Sequence, residues 1–147
     1  MKKIVSRSFV KNIALAFLGV TIACTVNSCA SSAKFQTSSV VPAAQGTVKV
    51  KKDRNKNYII KVDIYNLAEV ERLQTSKLTY VVWMVSGERV TKNIGRLTSK
   101  SARFSKSMKA SFETVSSAKP NRVFITAEDD GTVQYPNGEI VLTTGNL

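Results

Sequence analysis

Seven basic residues lie between positions 89 and 109 with no acidic residue among them, and this basic stripe is the strongest chemical feature of the chain. Its members are Arg89, Lys92, Arg96, Lys100, Arg103, Lys106 and Lys109. Concentrated positive charge attracts polyanions, so the stripe predicts binding of anionic lipid head groups, acidic polysaccharide or nucleic acid. The alternative is a set of solvated charges on exposed strands, where lysine discourages edge-to-edge association.

A second group of cations precedes the stripe and has one acidic neighbour, Asp53. It comprises Lys49, Lys51, Lys52, Arg54, Lys56 and Lys61. The whole chain of 147 residues carries 22 basic and 10 acidic residues. Four of the basic residues lie in the first 29 positions, so 18 cations face 10 acids in the remainder, a net charge of +8.

The residue types needed for common catalytic sites are scarce. Histidine is absent, which excludes histidine-dependent triads and histidine zinc ligands. Glu113 and Glu128 are predicted to lie on strands, and nothing in the sequence places them together as an acid and base pair. Glu128, Asp129 and Asp130 carry oxygen ligands suited to Ca²⁺, but consecutive carboxylates point in different directions, so we interpret them as turn residues. We expect no catalytic residue, no metal and no cofactor.

The first 29 residues follow the pattern of an export signal. Lys2, Lys3, Arg7 and Lys11 precede an eleven-residue apolar run, residues 13–23, and small residues follow it. The run is shorter than the roughly 20 apolar residues that span a bilayer. The sequence therefore predicts a cleaved leader rather than a membrane helix.

The two cysteines lie at the end of this leader, and the residues before them resemble a bacterial lipoprotein signal. Val26-Asn27-Ser28 precedes Cys29, and Thr21-Ile22-Ala23 precedes Cys24. We predict lipidation at Cys29, since a Ser/Ala-rich stretch follows it, with Cys24 and unlipidated cleavage after Ala30 or Ala33 as the alternatives. Lipid chains anchor a protein by about 0.8 kcal/mol per buried CH₂. Ala30 after the cysteine resembles lipoproteins sorted to an outer membrane, which would face the periplasm or the exterior.

Beyond the leader the sequence predicts a flexible tether over 30–45 and a folded domain over 46–147, with an edge strand at Val40, Val41 and Pro42 as the alternative for part of the tether. The domain alternates apolar and polar residues with period two, as in Val48 and Val50 and in Ile60, Val62 and Ile64. We expect an all-β fold, an antiparallel immunoglobulin-like sandwich of seven or eight strands. The predicted strands include 78–85, 88–91, 94–98, 110–115, 122–128 and 139–144.

The connections follow from turn residues and one helical pattern. Asp130-Gly131 and Asn137-Gly138 are predicted hairpin turns in which glycine supplies positive φ. Residues 67–74 are predicted to form a two-turn helix. Residues 80–85 are apolar on both strand faces, so we expect this helix to cover the second face, or a bulge to re-aim Tyr80 or Trp83.

Several segments together resemble the C-terminal extracytoplasmic domain of anti-sigma-K factors. They are Gly46-Thr47-Val48-Lys49-Val50, Leu78-Thr79-Tyr80-Val81-Val82-Trp83-Met84-Val85, Val123-Phe124-Ile125-Thr126-Ala127-Glu128-Asp129-Asp130-Gly131, Pro136-Asn137-Gly138 and Ile140-Val141-Leu142-Thr143. The resemblance covers about 46–147 and implies a β-sandwich in the cell envelope. It does not imply sigma-factor binding, since that family's sigma-binding domain and transmembrane helix have no counterpart in the sequence.

The sequence therefore predicts an envelope lipoprotein with a non-catalytic domain. Its partners would be the membrane, through the N-terminal lipid, and an envelope protein or an anionic polymer. The leading expectation is a structural or protein-interaction module. The alternative is a polyanion-binding module that uses the basic stripe.

Overall fold

The computed structural model describes residues 30–87, 89–100 and 109–147, and these residues form eight antiparallel strands and one turn of 3-10 helix. The helical turn is Val70–Arg72. The strands are β1 (Ala30–Lys34), β2 (Gln45–Lys52), β3 (Tyr58–Tyr65), β4 (Thr79–Ser86), β5 (Thr91–Lys100), β6 (Lys109–Ser116), β7 (Pro120–Glu128) and β8 (Ile140–Thr143). The predicted all-β sandwich is confirmed, with two antiparallel sheets of four strands.

The first sheet has the order β1-β2-β3-β6 and the second the order β5-β4-β7-β8. Strand β5 joins them, because its first part pairs with β4 and its last residues, 98–100, pair with β6. The β4–β5 register skips Ile94, which is therefore a bulge residue. Gly95 follows the bulge at φ +141°, and a Cβ there would lie 2.5 Å from the Phe112 ring. Both the backbone angle and the close ring require glycine.

The outermost strands of the two sheets meet on the other side of the molecule. Phe35 forms an antiparallel bridge with Thr144, and the Gln36 amide donates to the Thr143 carbonyl at 2.9 Å. The strand order therefore closes on itself at both sides, which leaves little unpaired backbone at the sheet edges.

The tether predicted over 30–45 is wrong, because this segment belongs to the folded domain. Residues 30–34 form β1, in register with β2 from Ala30 opposite Lys51 to Lys34 opposite Thr47. Farther on, Val41 and Ala44 are buried in the core, and the Ser38 hydroxyl accepts from the Val41 amide at 2.9 Å. The chain from Ala30 onward thus holds every described strand and both apolar clusters, a self-contained folding unit.

The principal core lies between the two sheets. Alternation along β2 and β3 places Val48, Val50, Ile60, Val62 and Ile64 in this core. The other sheet contributes further buried residues. They are Tyr80, Val82, Met84, Val123, Ile125, Val141 and Leu142.

A second, smaller cluster lies on the outer side of the second sheet. It contains Val81, Trp83 and Phe124, with the two rings stacked at 6.2 Å between centroids. Its cover is Val133 in the connection 129–139, which we call the strap. Asn93 holds the strap in place, since its Nδ2 donates to the carbonyls of Gly131 and Val133 at 3.1 and 2.8 Å.

The predicted helical cover over 67–74 is wrong in two respects. The segment forms only the 3-10 turn Val70–Arg72, and Leu67 and Val70 pack into the principal core rather than over Trp83. Three apolar residues spaced one turn apart are compatible with a compact loop as well as with a helix. Here the Tyr80 hydroxyl fixes the loop by donating to the Ala68 carbonyl at 3.0 Å.

Two further details of the connections differ from expectation. The strand predicted at 94–98 lies within β5, which begins at Thr91. Of the strand predicted at 88–91, Arg89 and Val90 belong instead to the β4–β5 turn, in which the Ser86 amide donates to the Val90 carbonyl at 3.0 Å. Both predicted glycine turns lie within the strap, and neither Gly131 nor Gly138 adopts a positive φ. Each glycine instead allows close packing against a neighbouring segment.

Candidate functional site

The outer side of the first sheet gathers lysines from all four of its strands. Directly opposite residues share a face in antiparallel pairs, so the register defines rows across this sheet. One row is Ser32, Lys49, Lys61 and Glu113, and the next is Lys34, Thr47, Asp63 and Ser111. We call this surface the basic face, with the cations Lys34, Lys49, Lys51, Lys61 and Lys109, all of them exposed.

The cations of the basic face have no ion-pair partner among the residues that the structure describes. The salt bridges of the described chain are Arg72–Glu69 and Lys77–Asp129, each at 2.7 Å, and both lie outside the basic face. Lys49 lies directly opposite Lys61, an arrangement in which like charges destabilise the sheet. An anion bound between these ammonium groups would relieve that repulsion.

The centre of the basic face is shallow. Lys61, Asp63, Ser111, Phe112 and Glu113 line a depression of about 190 Å³, smaller than the roughly 300–1,000 Å³ typical of small-molecule sites. The basic face as a whole carries five lysines and the two carboxylates of Asp63 and Glu113, so its net charge is +3. This shape suits an extended polymer lying across the strands better than an enclosed small ligand.

A larger cavity of about 410 Å³ adjoins the face where β1 leads toward β2. Lys34, Thr47 and Tyr65 contribute to both the cavity and the face. Tyr65 is 44% exposed, and the Lys109 ammonium lies 5.1 Å from its ring centroid, a cation–π contact. An aromatic surface beside cations could contact the ring of a charged sugar.

The described members of the predicted basic stripe do not share one surface. Arg96 lies opposite Val81 and Lys92 opposite Met84, so they project to opposite sides of β5, and Lys109 belongs to the basic face of the other sheet. The bulge at Ile94 is the cause, since it shifts the alternation between Lys92 and Arg96. The Lys100 side chain, Arg103 and Lys106 lie outside the described residues, as do Cys24 and Cys29.

The acidic triplet takes three different structural roles. Glu128 is buried and accepts at Oε1 from the Thr126 hydroxyl at 2.6 Å and the Asn137 amide at 3.2 Å. Asp129 pairs with Lys77. Asp130 is exposed, and the Thr132 amide, the Thr132 hydroxyl and the nearby Arg96 lower the pKa of its carboxyl. Asp130 is therefore a turn residue, and Glu128 fixes the strap by accepting from the Asn137 amide.

A hydrogen-bond chain that the sequence did not reveal connects the Trp83 ring to the strap. Trp83 Nε1 donates to Thr126 Oγ1 at 2.8 Å, and that hydroxyl donates in turn to Glu128. Each buried polar atom thus has a partner. The alternation of polar residues at 126 and 128 in an apolar strand was the available signal. The chain explains why these polar side chains are buried beside an aromatic ring.

Among residues 30–87, 89–100 and 109–147, no group of three or more acidic or cysteine side chains lies close enough to hold a metal ion. The same ranges contain no helix long and apolar enough to cross a membrane. Comparisons with protein-family models, with curated proteins and with solved structures found no match. The resemblance to the anti-sigma-K module stays a prediction, and the geometry of the basic face is the basis for assigning a function.

Proposed function

We propose that the chain is a non-catalytic lipoprotein of the bacterial cell envelope, anchored through Cys29, whose domain binds an acidic polysaccharide on the basic face. The observation that carries the ligand assignment is the pair Lys49 and Lys61, which lie opposite each other and form no salt bridge in the described chain, although Glu113 lies on the other side of Lys61. The proposed binding surface is the basic face, which the strand register defines, and not the basic stripe of the sequence.

The dimensions of the sheet favour a linear polymer. Neighbouring strands lie about 4.8 Å apart, so the lysines on β1, β2, β3 and β6 form a series of cations across the strands. The face has a depression of about 190 Å³ at its centre, and Tyr65 is exposed at one border. A chain of sugar carboxylates or sulfates would meet several ammonium groups without entering a deep pocket.

The outer membrane, facing the periplasm or the exterior, is the proposed location. This assignment rests on the leader pattern, the residues before Cys29 and Ala30 after it. Intact mass of the protein extracted in detergent tests the anchor. A diacylglycerol-modified N-terminal Cys29 supports it, and an unmodified start at Ser31 or Lys34 would contradict it.

The binding proposal is tested by retention of the chain from Ala30 on immobilised heparin. The face variant carries Lys34, Lys49, Lys61 and Lys109 changed to Gln, and the turn variant carries Lys52, Arg54, Lys56 and Lys119 changed to Gln. Both lose the same charge. Because binding to a polyanion releases counterions, we expect roughly tenfold or greater weakening for the face variant and little change for the turn variant.

Equal elution of both variants with the wild type would refute the polysaccharide proposal and favour the structural or protein-interaction module. Tighter retention on single-stranded DNA than on heparin would reassign the ligand to nucleic acid. Binding that is insensitive to salt would indicate an apolar protein contact, for which Val115, 60% exposed on β6, is the nearest large apolar side chain.

A further inference from the structure

Exposed cations are concentrated at one end of the strands. Successive strands in the order β1-β2-β3-β6-β5-β4-β7-β8 are antiparallel, so each end of the sandwich can be assigned from the register. One end carries the start of β1, the β2–β3, β4–β5 and β6–β7 turns and the C-terminus. We call it the basic end, with the cations Lys52, Arg54, Lys56, Arg89, Lys92, Lys119 and Arg122.

These connections adjoin one another in space. Ala30, Lys52, Tyr58 and Lys119 line one depression of about 280 Å³, Pro120 pairs with Ser86, and the Leu147 amide donates to the Asn121 carbonyl at 2.9 Å. All seven cations of the basic end are exposed. The positive charge is therefore a property of one continuous surface.

Little acidic charge offsets these seven cations. Among the described residues the acid at this end is Asp53, whose carboxylate already accepts from the Asn57 amide at 2.8 Å, and Glu88 lies outside the described residues. Six of the ten acidic residues lie toward the other end, in the β3–β4 connection, the end of β7 and the strap. They are Glu69, Glu71, Glu128, Asp129, Asp130 and Glu139. The cations Lys34, Arg72, Lys77 and Lys109 lie at that end as well, so it is not strongly acidic.

The first strand begins at the basic end, directly after the proposed lipidation site Cys29 in the sequence. β1 begins at Ala30, opposite Lys51, so Cys29 is one residue from the sheet and at most about 3.8 Å away between Cα atoms. A lipid on Cys29 would hold the basic end within a Debye length, about 8–10 Å, of the head groups. A spacer that could let the domain stand away from the membrane is absent, since residues 30–45 are folded.

We propose that the basic end docks on anionic phospholipid head groups, so that the strands stand along the membrane normal and the opposite end points away. The inference rests on the proposed anchor at Cys29 for its orientation. The basic residues and the lipid would act as two membrane signals, because a single acyl chain holds a protein reversibly and a basic patch strengthens the attachment. The basic face, which runs along the strands, stays open to the polysaccharide.

The test is co-sedimentation of the acyl-free chain from Ala30 with vesicles of phosphatidylcholine alone or mixed with phosphatidylglycerol. We expect binding to the mixed vesicles only, and roughly tenfold or greater weakening in the turn variant. The face variant, with equal charge loss, should bind nearly as the wild type does. The two variants therefore exchange roles relative to heparin binding.

Binding that is equal on both kinds of vesicle, or that falls equally in both variants, would overturn the docking proposal. Loss in the face variant alone would do so as well, and would assign lipid to the basic face. The tested chain lacks Cys29, so the vesicle results do not depend on lipidation. They do not depend on heparin binding either, because the two kinds of binding are measured separately.

Discussion

Gly138 shows at the scale of one residue how closely the strap is pressed against β7. A Cβ at this position would lie 1.7 Å from the Ala127 carbonyl oxygen, which is fixed backbone. At Gly131 the nearest atoms belong to the Arg96 side chain, which can rotate away. The two glycines of one loop therefore provide a matched pair.

We expect Gly138→Ala to lower the free energy of unfolding by about 2–3 kcal/mol, as overpacking does, and Gly131→Ala to change it by less than about 1 kcal/mol. Urea unfolding followed by Trp83 fluorescence measures both. The same loss in the two variants would mean that the strap is not held against the Ala127 backbone.

Tyr80 predicts a stability change at high pH. Burial, assisted by the Glu71 carboxylate, raises its pKa from 10.0 to about 12. The folded state therefore retains a proton that the unfolded chain releases, and this contribution to stability is full below pH 10 and is lost as pH rises toward 12.

Thermal melts of wild type and Tyr80→Phe between pH 7 and 12 test this linkage. At neutral pH the variant should be less stable by about 1 kcal/mol, because it lacks the hydrogen bond to Ala68. Above pH 10 the difference should shrink and then reverse. A constant difference at every pH would contradict the raised pKa of Tyr80.

At the scale of elements, β1 is an edge strand that could not be predicted from its composition. Removing residues 30–43 would unpair β2 and break the bridge between Phe35 and Thr144. We expect the chain from Ala44 to keep a β-type circular dichroism spectrum but to lose roughly 2–5 kcal/mol of stability relative to the chain from Ala30. A control with Gln36 and Thr37, both exposed, changed to Ala should melt as the wild type does. Equal melting of the short chain would show that β1 adds nothing.

The strands with strict alternation could be predicted, and the rest depended on contacts between distant segments. In β2 and β3 the period of two identifies the buried valines and isoleucines directly. β1 reads Ala-Ser-Ser-Ala-Lys, which lacks large apolar residues because one side is exposed and the other borders the core only partly. Its pairing comes from the β2 edge and the Thr144 bridge, which no local pattern encodes.

At the scale of the whole molecule, the candidate site depended on strand order and register. Lys49 and Lys61 are 12 positions apart in the sequence and become neighbours through the β2–β3 hairpin. Lys92 and Arg96 would share a face in a regular strand, and the bulge at Ile94 separates them. Linear charge density therefore predicts a polyanion-binding surface, but it selects a different set of cations from the one that the fold assembles.

The antiparallel register of β1 with β2 also has a mechanical consequence. A pull that lifts the domain from a membrane would enter through Cys29 at the start of β1 and run along the strand axis. Because the five residue pairs of β1 would then slide past β2 together, they would share the load in shear and would not peel apart one at a time. With the proposed anchor at Cys29, the pairing of β1 with β2 would therefore resist detachment by traction.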